Sequence, residues 1–123
     1  MSESLPAPRR MLVVGCLVAL GGFAGANLRY AVSLAVPGLG GTLAANVLGC
    51  VGLGAVVYEA DRLSRELRYV VATGFLASFT TYSTFALEVV QSPTAVGLAY
   101  VGVTYVLGFA GVVVGRRLAQ VIR

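Results

Sequence analysis

The chain has 123 residues, of which 58% are hydrophobic and only 11% are charged. A soluble domain carries about a quarter charged residues, and a chain this short cannot hide so much apolar surface from water. The composition therefore excludes an ordinary soluble domain and indicates a membrane protein. The sequence also has no histidine, the commonest general base and metal ligand, and nothing in it suggests a nucleic-acid partner.

Four uncharged stretches, each of about 18 residues or more, cover most of the chain, and that length is what a transmembrane helix needs. They are 11–28, 30–58, 69–87 and 89–115. We therefore predict an all-α membrane protein with one domain of four transmembrane helices. The predicted helices cover about 11–32, 42–58, 67–90 and 94–116, between a polar N-terminal tail over 1–10 and a short C-terminal tail over 118–123.

The N-terminus also fits a second interpretation. Arg9 and Arg10, the apolar run behind them and the small residues 24–26 follow the order of parts in a signal peptide, and paired arginines are found in Tat signals. However, the uncharged run is longer than the apolar core of a typical signal peptide, and its glycines have a helix-packing spacing. We therefore favour a first helix that stays in the protein.

Small residues recur four positions apart along the predicted helices. Glycines 21 and 25 form one such pair, glycine 22 with alanine 26 a second, and glycines 111 and 115 a third. In lipid, small residues at this spacing let helix backbones approach closely. The glycine content, 16 of 123 residues, exceeds the usual share of about 7%. We therefore predict tight packing within or between subunits.

Arginine residues are distributed very unevenly between the two ends of the predicted bundle. Four spans place both termini and the loop between the second and third helices on one side. Eight arginines lie on that side, namely Arg9, Arg10, Arg62, Arg65, Arg68, Arg116, Arg117 and Arg123. Arg29 is alone on the other side. By the positive-inside rule, we expect both termini in the cytoplasm.

The third predicted helix carries a cluster of hydroxyl groups near its centre. These belong to Ser78, Thr80, Thr81, Tyr82, Ser83 and Thr84. Hydroxyl groups can satisfy backbone groups that a break in a membrane helix sets free, and the freed carbonyls at such breaks often hold a cation. The alternative is a continuous helix whose hydroxyl groups bond to its own carbonyls. These residues alone leave both possibilities open.

Polar residues on the first two helices also fit a pore. Thr42 and Asn46 are four residues apart and therefore share a helix face. An asparagine inside a bilayer needs a partner or a function, and its amide nitrogen offers two donors to an anion. Arg29 can cap the negative end of the first helix, and it can also draw anions toward a pore mouth.

The fourth helix adds Tyr100, Thr104 and Tyr105, of which the first two share a face. Packing at the membrane interface explains these residues equally well. No carboxylate lies in the middle of a predicted span, since Glu88 falls near the end of the third helix. A proton relay is therefore poorly supported. No phosphate-binding loop and no nucleophile beside a base is present, so we expect no enzyme.

Three segments resemble signature segments of the Fluc (CrcB-type) fluoride channels, in the same order and at the same spacing. They are GFAGANLRY at 22–30, GTLAANVLG at 41–49, and FTTYSTF at 79–85, which Glu88 follows. The resemblance covers nearly the whole chain. It implies an antiparallel dimer of four-helix subunits in the plasma membrane, with two fluoride pores along the dimer interface. The implied activity is passive, selective export of fluoride from the cytoplasm.

The resemblance also implies roles for single residues. A structural sodium ion at the dimer centre would be held by the carbonyls of Ala77 and Thr80, where the third helix breaks. Arg29 would lie in a vestibule. The implied fluoride pore comprises Thr42, Asn46, Thr81, Tyr82, Ser83, Thr84 and Phe85, and Tyr100, Thr104 and Tyr105 are a possible further pore face on the fourth helix.

Two departures from the family pattern and the arginine distribution keep alternatives open. The family usually has Gly-Gly where this chain has Ala77 and Ser78, and phenylalanine where it has Tyr82. A homodimer inserted both ways up needs a nearly balanced arginine distribution, whereas this chain has eight against one. We therefore hypothesise a subunit of fixed orientation that pairs with a second homologous subunit of opposite orientation. A non-conducting subunit is one alternative. A small multidrug-type transporter is another, but it needs an acidic residue in helix one, and 11–28 contains none.

Overall fold

The fold is all-helical in the computed structural model, which describes residues 7–122. Four spans are long and apolar enough to cross a membrane. They are α1 (Ala7–Ala35), α2 (Leu39–Tyr58), α3 (Arg65–Gln91) and α4 (Thr94–Val121). The prediction of an all-α chain with four membrane-spanning helices is therefore confirmed.

The helices extend beyond their predicted ends. α1 begins at Ala7 and includes Arg9 and Arg10, which we predicted in the polar tail, and α4 continues through most of the predicted C-terminal tail. Arginine is a good helix former, so a helix readily continues past the apolar region that defined the predicted span. The remainder of the predicted tails, residues 1–6 and Arg123, lies outside the described residues.

The helices pack as two parallel pairs, α1 with α3 and α2 with α4. Glycines make the close contacts: a Cβ atom on Gly21 would overlap the Val70 carbonyl, and one on Gly115 would overlap the Val51 carbonyl. The glycines at 25 and 111 lie in the same two contacts. The predicted role of these glycine pairs in helix packing is confirmed.

The third span is irregular along most of its length. It comprises an α-helical turn Arg65–Arg68, a π-helix Tyr69–Leu76, a short α-helix Ala77–Phe79 and a final α-helix Ser83–Gln91. We call residues 65–79 α3a and Ser83–Gln91 α3b. Thr80 between them is extended, with φ −79° and ψ 159°. The residues 80–82, here called the gap, therefore lie outside helical structure near the middle of the span.

Replacing Gly115 with alanine should loosen the contact between α2 and α4, because the new Cβ atom would overlap the Val51 carbonyl. We expect the free energy of unfolding to fall by about 1–3 kcal/mol, as for other overpacked sites. Denaturant unfolding in mixed micelles measures this change.

Gly102→Ala is the matched control on the same helix, since nothing lies within 4 Å of the Cβ position there. That alanine should be neutral or should stabilise α4 by up to about 1 kcal/mol through helix propensity. Equal destabilisation by both alanines would contradict the packing assigned to Gly115.

Candidate functional site

Asn46 joins α2 to the gap in α3. Its amide nitrogen donates a hydrogen bond of 2.9 Å to the Thr81 carbonyl, and its amide oxygen accepts one of 2.8 Å from the Thr81 N–H. One side chain therefore satisfies both backbone groups of a residue that has no helical partners. An unsatisfied backbone group in hydrocarbon costs several kcal/mol. The Asn46 amide still has one hydrogen for another acceptor.

Hydroxyl groups of the gap stabilise the two helix ends beside it. Thr80 Oγ1 donates to the Leu76 carbonyl at 2.9 Å, which ends α3a. Thr81 Oγ1 accepts from the Thr84 N–H at 3.2 Å and donates to Thr84 Oγ1 at 3.1 Å. Thr81 therefore caps the first turn of α3b, although the helix formally begins two residues later.

These hydrogen bonds leave at least three backbone carbonyls at and just before the gap, those of Ala77, Ser78 and Thr80, without an N–H donor among the described residues. The Thr81 N–H, which a continuous helix would direct to Ala77, bonds to Asn46 instead, and the Thr84 N–H bonds to Thr81 Oγ1 rather than to the Thr80 carbonyl. Within residues 7–122, no N–H donates to the carbonyl of Ala77 or Thr80. Both oxygens are therefore free to bind a ligand, and a hard cation is the kind that unwound carbonyls bind.

Glu88 lies on α3b and accepts two hydrogen bonds from other helices. Thr42 of α2 donates to one carboxylate oxygen at 2.8 Å, and Tyr100 of α4 donates to the other at 2.8 Å. Hydrogen bonds to an ionised acceptor are stronger than neutral ones, so this pair stabilises a carboxylate inside a span. Sequence analysis missed this role for Glu88. Part of the signal was available, because a carboxylate in a membrane helix needs donors, but the sequence does not show which hydroxyl groups reach it.

Phe85 is at the centre of an aromatic cluster. Its ring centroid lies 5.3 Å from that of Tyr100, 6.0 Å from that of Tyr82 and 6.5 Å from that of Tyr105, and the last pair is edge-to-face at 84°. Such tilted arrangements favour the contact of ring edges with ring faces. Phe85 is buried, whereas Tyr82 is 75% exposed on the surface of the chain.

Most of the predicted pore residues line two cavities that share Thr81. The larger, about 450 Å³, lies between α2, α3 and α4, and the smaller, about 290 Å³, lies beside the end of α1. Among the predicted residues, the larger cavity has Asn46, Tyr82, Phe85, Thr104 and Tyr105, and the smaller has Arg29, Thr42 and Thr84.

Two predicted residues, Ser83 and Tyr100, have other surroundings, and Thr104 has a hydroxyl group that is unpaired within residues 7–122. Ser83 faces a third, more open cavity of about 520 Å³ that also includes Arg29 and the gap. Tyr100 lines neither main cavity, because its ring packs on Phe85 and its hydroxyl reaches Glu88. Thr104 lines the larger cavity, and its buried hydroxyl has no hydrogen-bond partner among the described residues.

Replacing Asn46 with leucine should destabilise the backbone of the gap, since both backbone groups of Thr81 would lose their hydrogen-bond partner. Each unpaired buried group costs about 1–3 kcal/mol, so we expect the free energy of unfolding to fall by about 2–5 kcal/mol. Hydrogen exchange at the Thr81 amide should become faster.

Asn46→Asp is the informative comparison. Aspartate still accepts from the Thr81 N–H but cannot donate to the Thr81 carbonyl, so exchange at this amide should change less than in Asn46→Leu. Wild-type exchange at Thr81 in Asn46→Leu would show that the hydrogen bonds of Asn46 do not hold the gap.

The fold and the site together define a small helical membrane protein with cavities along its spans that are lined by both polar and apolar side chains, a feature of channels and transporters. A family model described as "CrcB-like protein, Camphor Resistance (CrcB)" matches residues 16–116. The chain belongs to this family, and the resemblance noted in the sequence is confirmed.

Named relatives are similar over most of their length. The Fluoride-specific ion channel FluC 1 of Haloarcula marismortui is 53% identical, over 85% of this chain and 84% of its own. The Fluoride-specific ion channel FluC 2 of Halobacterium salinarum is 49% identical, over 87% of both chains. FluC 1 of Natronomonas pharaonis is 50% identical, over 85% of this chain and 92% of its own.

Proposed function

We propose that this chain is a subunit of a fluoride-selective channel that lets fluoride leave the cytoplasm passively and so lowers its toxicity. The main observation in support is that the membrane-spanning bundle brings polar and aromatic groups together around Thr81, in two cavities. Relatives named as fluoride-specific ion channels support the choice of ion. The chain is an ion-channel subunit and not an enzyme.

The chemistry of the cavities suits a small, strongly hydrated anion. Fluoride must be offered hydrogen-bond donors as it loses water, and the remaining amide hydrogen of Asn46 and the hydroxyl of Thr104 are donors of this kind. The edges of the Tyr82 and Phe85 rings carry partial positive charge and can face an anion. Arg29 beside the smaller cavity would attract anions to its mouth. Conduction also requires that no such contact bind the ion too tightly to release it.

The gap in α3 is proposed as half of a structural sodium site. The carbonyls of Ala77 and Thr80 have no donors, which fits oxygen ligands for Na⁺. Two carbonyls make up only part of a coordination shell, so a second subunit would supply the rest, as in an antiparallel dimer. A bound cation would supply positive charge near the cavities and make the surrounding field more favourable for an anion.

Fluoride efflux from liposomes that contain the purified chain alone tests the proposal, with a fluoride electrode as readout and chloride as control. We expect selective fluoride efflux. Efflux of chloride at the same rate would contradict a fluoride channel. So would the absence of fluoride efflux from folded protein, both when the chain is alone and when a homologous subunit is added.

A matched pair of variants tests the pore assignment. Thr42→Val and Tyr100→Phe each remove one hydroxyl group that donates a hydrogen bond to Glu88. Of the two residues, Thr42 lines the smaller cavity, whereas Tyr100 lines neither of the two main cavities. If Thr42 faces the ion path, Thr42→Val should reduce the rate of fluoride efflux by about tenfold, which corresponds to a barrier raised by about 1.4 kcal/mol. Tyr100→Phe should reduce the efflux rate by a smaller factor. Equal reductions would assign the effect to the Glu88 hydrogen bonds rather than to the pore.

A second candidate, a subunit that requires a different partner, is favoured by the arginine distribution. Eight arginines on one side against one on the other predict a single orientation in the plasma membrane, with both termini in the cytoplasm. An antiparallel dimer then needs a homologous subunit that inserts the other way.

Reconstitution separates the two candidates. The partner-requiring subunit should give no efflux alone and selective efflux once a homologous subunit with the opposite arginine bias is added. A C-terminal reporter should be found only on the cytoplasmic side. A reporter on both sides, together with efflux from the chain alone, would establish a dual-topology homodimer instead.

A further inference from the structure

Six arginines that form no ion pair within residues 7–122 surround one end of the bundle, where they outnumber the acidic residues. Because α1 and α3 begin at this end and α4 finishes there, it gathers Arg9, Arg10, Arg65, Arg68, Arg116 and Arg117, here called the arginine collar. All but Arg10, which is half-buried, are exposed. The neighbouring Arg62 faces Glu59 at 3.9 Å, but no member of the collar forms an ion pair within residues 7–122.

Helix geometry places part of the collar at the edge of the hydrocarbon. The gap lies near the middle of the third span. Arg68 precedes it by roughly 12 residues, and Arg116 follows Tyr105, whose ring packs on Phe85 one turn beyond the gap, by roughly 11, so the two lie on the order of 11–18 Å from the level of the gap. The hydrocarbon core of a bilayer extends about 15 Å on either side of its centre. In a span centred on the gap, these two side chains would lie near the edge of the hydrocarbon, where a long arginine side chain can reach lipid phosphates.

Apolar side chains lie directly below and beside these charges. Leu67 on α3 is 44% exposed, Val113 on α4 is 52% exposed, and Leu118 on α4 is 50% exposed. A guanidinium group matches a phosphate with two parallel hydrogen bonds, and the apolar side chains offer a surface to acyl chains. A ligand that satisfies both surfaces carries a phosphate and hydrocarbon chains in one molecule.

We propose that the arginine collar is a binding site for anionic phospholipids, with the headgroup phosphate on the guanidinium groups and the acyl chains along α3 and α4. The surplus positive charge selects lipids with net negative charge over zwitterionic ones. Bound lipid would hold this end of the chain at the cytoplasmic leaflet. The site is independent of fluoride conduction, so either proposal can fail alone.

Native mass spectrometry of the full chain in detergent tests the site, using phosphatidylglycerol and phosphatidylcholine with identical acyl chains. We expect preferential retention of phosphatidylglycerol. Arg116→Gln with Arg117→Gln should weaken that preference by roughly fivefold for each arginine removed. Arg29→Gln, at the opposite end, should leave it unchanged. Equal retention of both lipids by the wild type would overturn the proposal, and so would equal loss in the Arg29 variant.

Two further measurements test whether the site binds whole lipids and whether it prefers anionic ones. An excess of soluble glycerol phosphate should not displace the lipid, because it lacks acyl chains; displacement would identify a site for free phosphate and overturn the lipid assignment. The thermal stability of the wild-type chain should rise more with phosphatidylglycerol than with phosphatidylcholine. This comparison needs no variant, and an equal rise with both lipids would count against the site.

Discussion

The requirement that every backbone polar group find a partner in hydrocarbon governs this molecule. A three-residue gap interrupts α3 near the middle of its span, so its backbone groups lose their helical partners. The Asn46 amide makes the gap possible, because it replaces both helical hydrogen bonds of Thr81 with bonds from a neighbouring helix. Without such a partner, the same residues would be expected to continue as a helix, since a continuous helix satisfies its own backbone. The gap is therefore a property of α2 and α3 together.

Close approach of the helices is what allows a short side chain to serve this purpose. Gly49 lies three residues beyond Asn46 on α2, and a Cβ atom there would overlap Thr80 Cγ2. The missing side chain lets the α2 backbone come near enough for Asn46 to reach Thr81. α2 is in turn fixed against α4 by Gly115 and its contact with Val51. In lipid, where the hydrophobic effect does not press helices together, such glycine contacts set the distances on which the site depends.

The sequence predicted those features that depend on local composition and missed those that depend on tertiary partners. Span lengths predicted the four helices, and glycine spacing predicted tight helix packing without showing which helices meet. The π-helix Tyr69–Leu76 could not be predicted, because an almost uniformly apolar segment has no polar face to show its period. The bonds from Thr42 and Tyr100 to Glu88 join residues that are 46 and 12 positions apart, and only the packed bundle brings them together. Asn46 was identified as a donor, but its structural role required knowing where the gap lies.

The hydrogen bonds of Asn46 also leave a free acceptor and a free donor close together, which the proposed sodium site and fluoride path both need. By taking the Thr81 N–H, the Asn46 oxygen removes the donor of the Ala77 carbonyl, whose negative end becomes available to a cation. The same amide nitrogen uses one hydrogen for the Thr81 carbonyl and keeps its second for an anion. The same side chain thus leaves one amide hydrogen and the Ala77 carbonyl without partners among residues 7–122, while the backbone of α2 stays helical. The proposed sodium site and the proposed fluoride path would then depend on the same amide, so a change of residue at Asn46 should affect both.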